Sequence, residues 1–308
     1  MSLVIVGTVA FDAIETPFGK TDKILGGAAT FASLAAAKLY DQVKVISVIG
    51  GDFPDSYIKL LNEEGVVTEG IKKIAEGKTF FWSGKYHIDM NTRDTLVTEL
   101  NVLADFDPQL PQSYNDCTYL MLGNLTPAIQ KKVIQQMPVR PKLIVMDTMN
   151  FWMNTAMEDL KEVLSMVDVL TINDEEARQL SEEYSLVKAA RKILHMGPKF
   201  LVIKKGEHGA LLFHDDQVFY APAMPLEDVF DPTGAGDTFA GGFIGFLART
   251  DDISFENMKR AIIFGSAMAS FAVEKFGTQS LQELKNGILL DRVQQFQGLV
   301  KCDIILSN

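Results

Sequence analysis

An α/β fold built on a mostly parallel sheet with helices on both faces is predicted for this 308-residue chain. Three observations lead there. Short apolar runs alternate with helical patterns along most of the sequence. At 47% hydrophobic and 22% charged residues, the chain has enough apolar side chain for a large core. Neither an internal repeat nor a low-complexity linker divides it, so residues 1–308 are taken as a single domain.

In order, Leu3 to Val6 reads as a buried strand ending at Gly7, Thr30 to Leu39 as an Ala-rich helix, and Val43 to Ile49 as the next strand. The alternation returns with a strand at Tyr119–Leu122, a helix after Thr126 and a strand at Leu143–Met146. A helix at Ala156–Ser165 and a strand at Val167–Thr171 follow, then strands at Leu201–Lys204 and Ala210–Phe213. Helices over 236–248, 256–274 and about 281–286 close the chain. Two stretches break this rhythm. Residues 12–24 form a long non-helical loop, and 78–104 carry β-rich runs, Thr79-Phe80-Phe81-Trp82 and Thr95-Leu96-Val97-Thr98. An edge hairpin is the plain reading of the second stretch; strands covering a site that must exclude water are the functional one.

The net charge of -11 argues against a nucleic-acid or anionic-membrane surface and suits a cytoplasmic enzyme. No signal peptide or membrane span is recognisable in the sequence. Cys117 and Cys302 show no metal spacing and read as reduced thiols, and the four histidines show none either. Gly77-Lys78-Thr79 imitates the end of a Walker A loop, but Lys72 stands where its glycine would be, and no G-x-G-x-x-G follows Gly7.

One stretch carries the chemistry: Asp231-Pro232-Thr233-Gly234-Ala235-Gly236-Asp237-Thr238-Phe239-Ala240-Gly241-Gly242-Phe243. Glycines just ahead of an apolar helical run let the backbone approach a ligand, and the first helical turn offers unpaired N–H groups and the positive dipole end. That describes a phosphate site. Asp237 lies inside it, where a carboxylate repels phosphate. An N-cap is the ordinary role for an Asp there; a general base taking the proton of a hydroxyl that attacks a phosphoryl group is the chemical one.

The thirteen residues closely resemble the second signature of the ribokinase-like (PfkB) carbohydrate kinase family. Gly26-Gly27 before a helix resembles its first signature. The resemblance implies a three-layer α/β/α fold with a small β-lid, formed by elements about 12–24 and 78–104, and an ATP-dependent phosphotransferase acting on a sugar or polyol hydroxyl. It makes Asp237 the base, Gly234, Ala235 and Gly236 the anion hole, and Asp12, five residues after the Gly7 that ends the first strand, a binder of acceptor hydroxyls. The family usually has Asn four residues after the second glycine, whereas this chain has Phe31, read either as core or as a ring stacked on the acceptor.

Asn173 and Glu176 match the family's N-x-x-E motif, which orders waters around Mg²⁺; by their spacing alone they equally make a helix cap. Asp147-Thr148-Met149-Asn150 resembles its D-x-N segment. Lys204-Lys205-Gly206-Glu207-His208-Gly209 resembles the T-x-G-x-x-G turn on the nucleotide side, with Lys204 in place of Thr; Gly206, Gly209 and Thr233 complete the expected nucleotide contacts. Relatives commonly bind K⁺ at the Asp231 position, with backbone from the loop around Gly277. Lys85 and Arg93 are candidates for an acceptor that already bears phosphate, and a homodimer through the lid is a family habit. The alternatives are a nucleoside or inositol kinase of the same family, and a silent sugar- or nucleotide-binding sensor.

Overall fold

The computed structural model describes residues 1–301; Cys302 lies outside them. The chain opens with β1 (Ser2–Val6), β2 (Ala10–Thr16), β3 (Gly19–Lys20), β4 (Ile24–Gly26), α1 (Ala28–Ala37) and β5 (Val43–Gly50). Next come α2 (Asp55–Glu63), β6 (Val66–Ile74), β7 (Phe81–Tyr86), β8 (Arg93–Glu99), β9 (Cys117–Leu122) and α3 (Pro127–Gln136). The middle holds β10 (Leu143–Asp147), α4 (Asn150–Thr155), α5 (Met157–Leu164), β11 (Val169–Asn173), α6 (Asp174–Ser181) and α7 (Leu186–Leu194). After β12 (Phe200–Lys204), β13 (Ala210–His214) and β14 (Gln217–Ala221), the chain ends in α8 (Ala235–Thr250), α9 (Phe255–Ala272), α10 (Gln279–Glu283) and α11 (Asn286–Val300).

One sheet of nine strands runs β14-β13-β12-β11-β10-β9-β1-β5-β6, parallel except for the β12–β13–β14 end. Both faces are apolar, as a covered parallel sheet requires. Along β1, Leu3 and Ile5 enter one core with α1, α8 and α9, while Val4 and Val6 enter the other beneath α3, α5, α6 and α7. Three layers result. No helix among the described residues is long and apolar enough to cross a membrane.

A second sheet, β3-β2-β7-β8 with β4 on β2, lies apart from the first. Its β2–β7 pair is parallel and sets Asp12 opposite Trp82. This corrects one expectation: residues 12–24 are not one long loop but carry most of β2, with β3 and the start of β4, and Asp12 falls within β2. The chain leaves β1 at Gly7 and starts a separate strand three residues later, a switch of sheet that period-two patterning does not reveal. Gly241 and Gly245 let α8 lie directly on α1, since a Cβ on Gly241 would meet the Ala32 carbonyl at 2.1 Å. On its other side Gly242 admits Met268 of α9. The small residues after Asp237 thus wedge α8 between two helices and fix where its N-terminus points.

Candidate active site

Gly234 sits at φ +73°, a left-handed turn that suits glycine, and α8 begins at the next residue. Ala235 turns its N–H back to the Pro232 carbonyl at 3.2 Å, so this amide is engaged. The N–H groups of Gly236 and Asp237 have no backbone partner among the described residues, which leaves the anion site of a helix start open. Gly234 has a second reason to lack a side chain: its Cβ would fall 2.4 Å from the Phe31 ring. Phe31 is 1% exposed, so of its two readings the structure takes packing; the ring seats the anion turn instead of offering a face to an acceptor.

Asp237, in the first turn of α8, is partly exposed. Desolvation, with the charge of Asp147 behind it, pushes its carboxyl up to about 7, against a pull downward from Lys204 and Arg93. Asp12 faces it from the lid sheet, 5% exposed, and accepts the Gly27 N–H at 3.3 Å. Burial above all, then the charges of Asp231 and Asp237, raise Asp12 to about 7. Gly26 must be glycine there, because a Cβ would stand 2.0 Å from the Asp12 carboxylate.

Asp231 is fully buried and accepts the N–H groups of Thr233 and Gly277, both at 2.8 Å. Burial raises its pKa as well, and it has no salt bridge among the described residues. Such a carboxylate fits a monovalent cation chemically.

Asn173 and Glu176 form a capping box at the start of α6: the Asn173 side chain accepts the Glu176 N–H and the Glu176 side chain accepts the Asn173 N–H, each at 2.8 Å. The helix-cap role is therefore met. One Glu176 oxygen stays out of that box, and burial first, with Asp147 behind it, lifts the carboxyl to about 7. A buried acid in that condition fits a hydrated divalent cation. No cluster of three or more metal-ligating side chains exists among the described residues, so direct coordination by protein alone does not fit.

Gly206 and Gly209 hold positive φ in the turn between β12 and β13, closed by the Lys205 N–H on the Gly209 carbonyl at 2.8 Å. Lys204 points inward. Its Nζ bonds the Asp147 carboxylate at 2.7 Å, and a Cβ on Gly236 would come within 3.2 Å of it. Thr233 lies beneath the lid with its hydroxyl 3.3 Å from the Tyr86 hydroxyl.

The smaller sheet supplies one group that sequence reasoning passed over, Tyr86. Tyr86 is 5% exposed at the end of a lid strand, and the charges of Asp231 and Asp12 both act on it. Its sequence signal was the spacing of two that puts Trp82, Gly84 and Tyr86 on one face, with Gly84 leaving room for the Trp82 ring. Arg93, opposite Tyr86 across β7–β8, lowers Asp237 and Glu176 by its charge. Lys85 instead pairs with Glu15 at 2.7 Å. At the turn between β7 and β8, Asn91 lies 2.8 Å from where Gly206 would carry a Cβ, so the hairpin reaches the β12–β13 turn.

A carboxylate beside open helix-start amides, with a second buried acid in the smaller sheet, is an arrangement suited to phosphoryl transfer onto a hydroxyl. The sequence profile of the pfkB family of carbohydrate kinases matches residues 2–285, and the chain belongs to that family, a sugar- or nucleoside-class kinase. It is 28% identical over 287 residues to a cytidine kinase of Thermococcus kodakarensis, covering 91% of this chain and 99% of the relative. A nucleoside kinase of Methanothermobacter thermautotrophicus is 27% identical over 309 residues, covering 90% and 91%. In fold it matches a putative ribokinase II of E. coli, solved with ATP and Mg²⁺, at a TM-score of 0.78 and 20% identity, over 96% and 99% of the two chains.

Proposed function

We propose that this kinase transfers the γ-phosphoryl group of ATP to a hydroxyl of a ribose-containing acceptor, a nucleoside before a free sugar. The placement of Asp237 carries the reading: a carboxyl with a pKa raised to about 7 stands in the same first helical turn as two unpartnered amides. Asp12 and the Gly26-Gly27 backbone hold the acceptor hydroxyls. Asp237 accepts the proton of the attacking hydroxyl as its oxygen bonds to phosphorus and the bond to the bridging oxygen of ADP breaks. The open amides of Gly236 and Asp237 stabilise charge on the moving phosphoryl, aided by the dipole of α8.

Mg²⁺, when bound with ATP, neutralises phosphate charge, and Glu176 would hold its waters. Asp231 would hold K⁺. The Gly206–Gly209 turn and Thr233 flank the nucleotide. Two named relatives support the nucleoside preference, being a cytidine and a nucleoside kinase. Exposed Leu96 and Val97 on β8 support a homodimer through the lid, and the net charge of -11 supports a cytoplasmic enzyme without nucleic-acid partners.

The test is Mg·ATP consumption against nucleosides, free sugars, phosphosugars and inositols, with and without K⁺. Strong turnover of one nucleoside is expected. ATP binding with silence across the whole panel would sink the catalytic reading and leave the sensor.

A further inference from the structure

Two charged groups of the site have no part in that reaction scheme. Lys204 ends β12 and Asp147 ends β10, 57 residues apart in sequence, and their side chains meet at 2.7 Å with 17% and 9% exposure. Asp147 also accepts the Thr171 hydroxyl at 3.2 Å, on the same oxygen. The Lys204 ammonium has three N–H donors, and only the one on Asp147 finds an acceptor among the described residues. Its Nζ lies against Gly236, the glycine of the open helix turn, and the charges of Glu176 and Asp237 also reach it.

A pair kept only for stability fits this arrangement poorly. Buried ion pairs contribute little net stability unless the remaining donors and acceptors are satisfied, and here they are not. The place is also wrong for a scaffold pair, since it lies at the C-terminal ends of two parallel strands that flank β11, where sheets of this kind bind ligands. Charge gives the third argument. Asp12, Asp147, Glu176, Asp231 and Asp237 crowd one site that must admit a polyanion, and the cations acting on Asp237 are Lys204 and Arg93. Arg93 rides on an exposed lid strand, whereas Lys204 is anchored in the main sheet.

We propose that Lys204 bonds an oxygen of the phosphoryl group being transferred, and that Asp147 is a positioning residue that holds the ammonium beside Gly236 until the nucleotide arrives. The proposal rests on the phosphotransfer reading of the same site. It assigns Lys204 to the γ-phosphate and not to the adenosine or the inner phosphates, a role that the Thr expected at this position would not perform.

The experiment compares ATP and ADP affinities of the acceptor-free protein by titration calorimetry, for wild type, Lys204→Met, Lys204→Thr, Lys204→Arg and Asp147→Asn. Loss of one charge-assisted bond to the γ-phosphate should weaken ATP about tenfold or more in Lys204→Met and Lys204→Thr, with ADP changed about twofold or less. Lys204→Arg should recover part of that preference. Asp147→Asn should keep the ATP-to-ADP preference and lower kcat about tenfold, because the cation remains but its aim is lost. Equal weakening of ATP and ADP, or a Lys204→Thr protein with wild-type ATP affinity, overturns the proposal while leaving the kinase intact. If Lys204→Met does not fold, the Arg and Thr variants decide. Wild-type protein that binds neither nucleotide overturns the kinase reading itself.

Discussion

The main sheet and the lid sheet reach the same site from opposite conditions. Strands β1, β9 and β10 are buried on both faces, whereas every residue of β8 is exposed and β7 is covered mainly at its end. From the rigid side come the helix-start turn, Asp237 and Lys204; from the smaller sheet come Tyr86 and Arg93 on β7 and β8, with Asp12 on its better-buried strand β2. Chemistry that depends on sub-ångström placement is mounted where packing fixes it. On the proposed reading, part of acceptor recognition is mounted beside β8, a strand with few buried contacts, which can open at low cost.

Removing the base from the rigid side gives the largest expected effect. Asp237→Asn should lower kcat by about 10²–10⁴-fold with ATP still bound, measured by coupled assay and calorimetry. A rate within threefold of wild type would sink the base assignment. The same variant should be slightly more stable above pH 7. A carboxyl whose folded pKa is raised loses stability as pH climbs from its unfolded value near 4 through about 7, and Asn escapes that loss. Thermal melts of both proteins at pH 6 and pH 8 check the sign.

Next in size is the seat of the anion turn. Gly234→Ala places a Cβ 2.4 Å from the buried Phe31 ring at a positive φ, and turnover should fall about 10–100-fold with a lower Tm. Restored rate in Gly234→Ala/Phe31→Leu would show that the clash, and not the backbone angle, is responsible. The pH profile comes third. Asp237 must be ionised to accept a proton, so kcat/KM should fall about tenfold per pH unit below about 7 and level off above it. A flat profile from pH 5.5 to 8 would exclude this carboxyl as the titrating base.

The smallest effect belongs to the lid. Tyr86→Phe deletes the hydroxyl beside Thr233, and KM for the acceptor should change about 3–10-fold while kcat and Tm hold. A fall in kcat with KM unchanged would move Tyr86 from acceptor binding to the chemistry and erase the contrast between the two sides.

Legibility followed the distance in sequence over which each feature is encoded. The anion turn, the base and the glycines that seat α8 lie within one run from Asp231 to Phe243. The parallel core strands announced themselves because burial on both faces makes continuous apolar runs. Edge strand β6, whose nine residues alternate poorly between buried and exposed, and the partly solvated helices α2, α7 and α11 gave no such signal. Asn173 and Glu176 were recognisable as a pair, and the structure adds that their caps are mutual.

Sequence alone thus determined the α/β architecture, the glycine-rich helix start with Asp237 in its first turn, and the family, because each rests on residues within a turn or a strand of one another. Tertiary structure decided the rest. It set Asp12 in a strand of the smaller sheet, turned Phe31 into the seat of Gly234, brought Tyr86 to Thr233, and joined Lys204 to Asp147. Those contacts join elements far apart in sequence, and the pattern of any single element does not encode which neighbour it will meet.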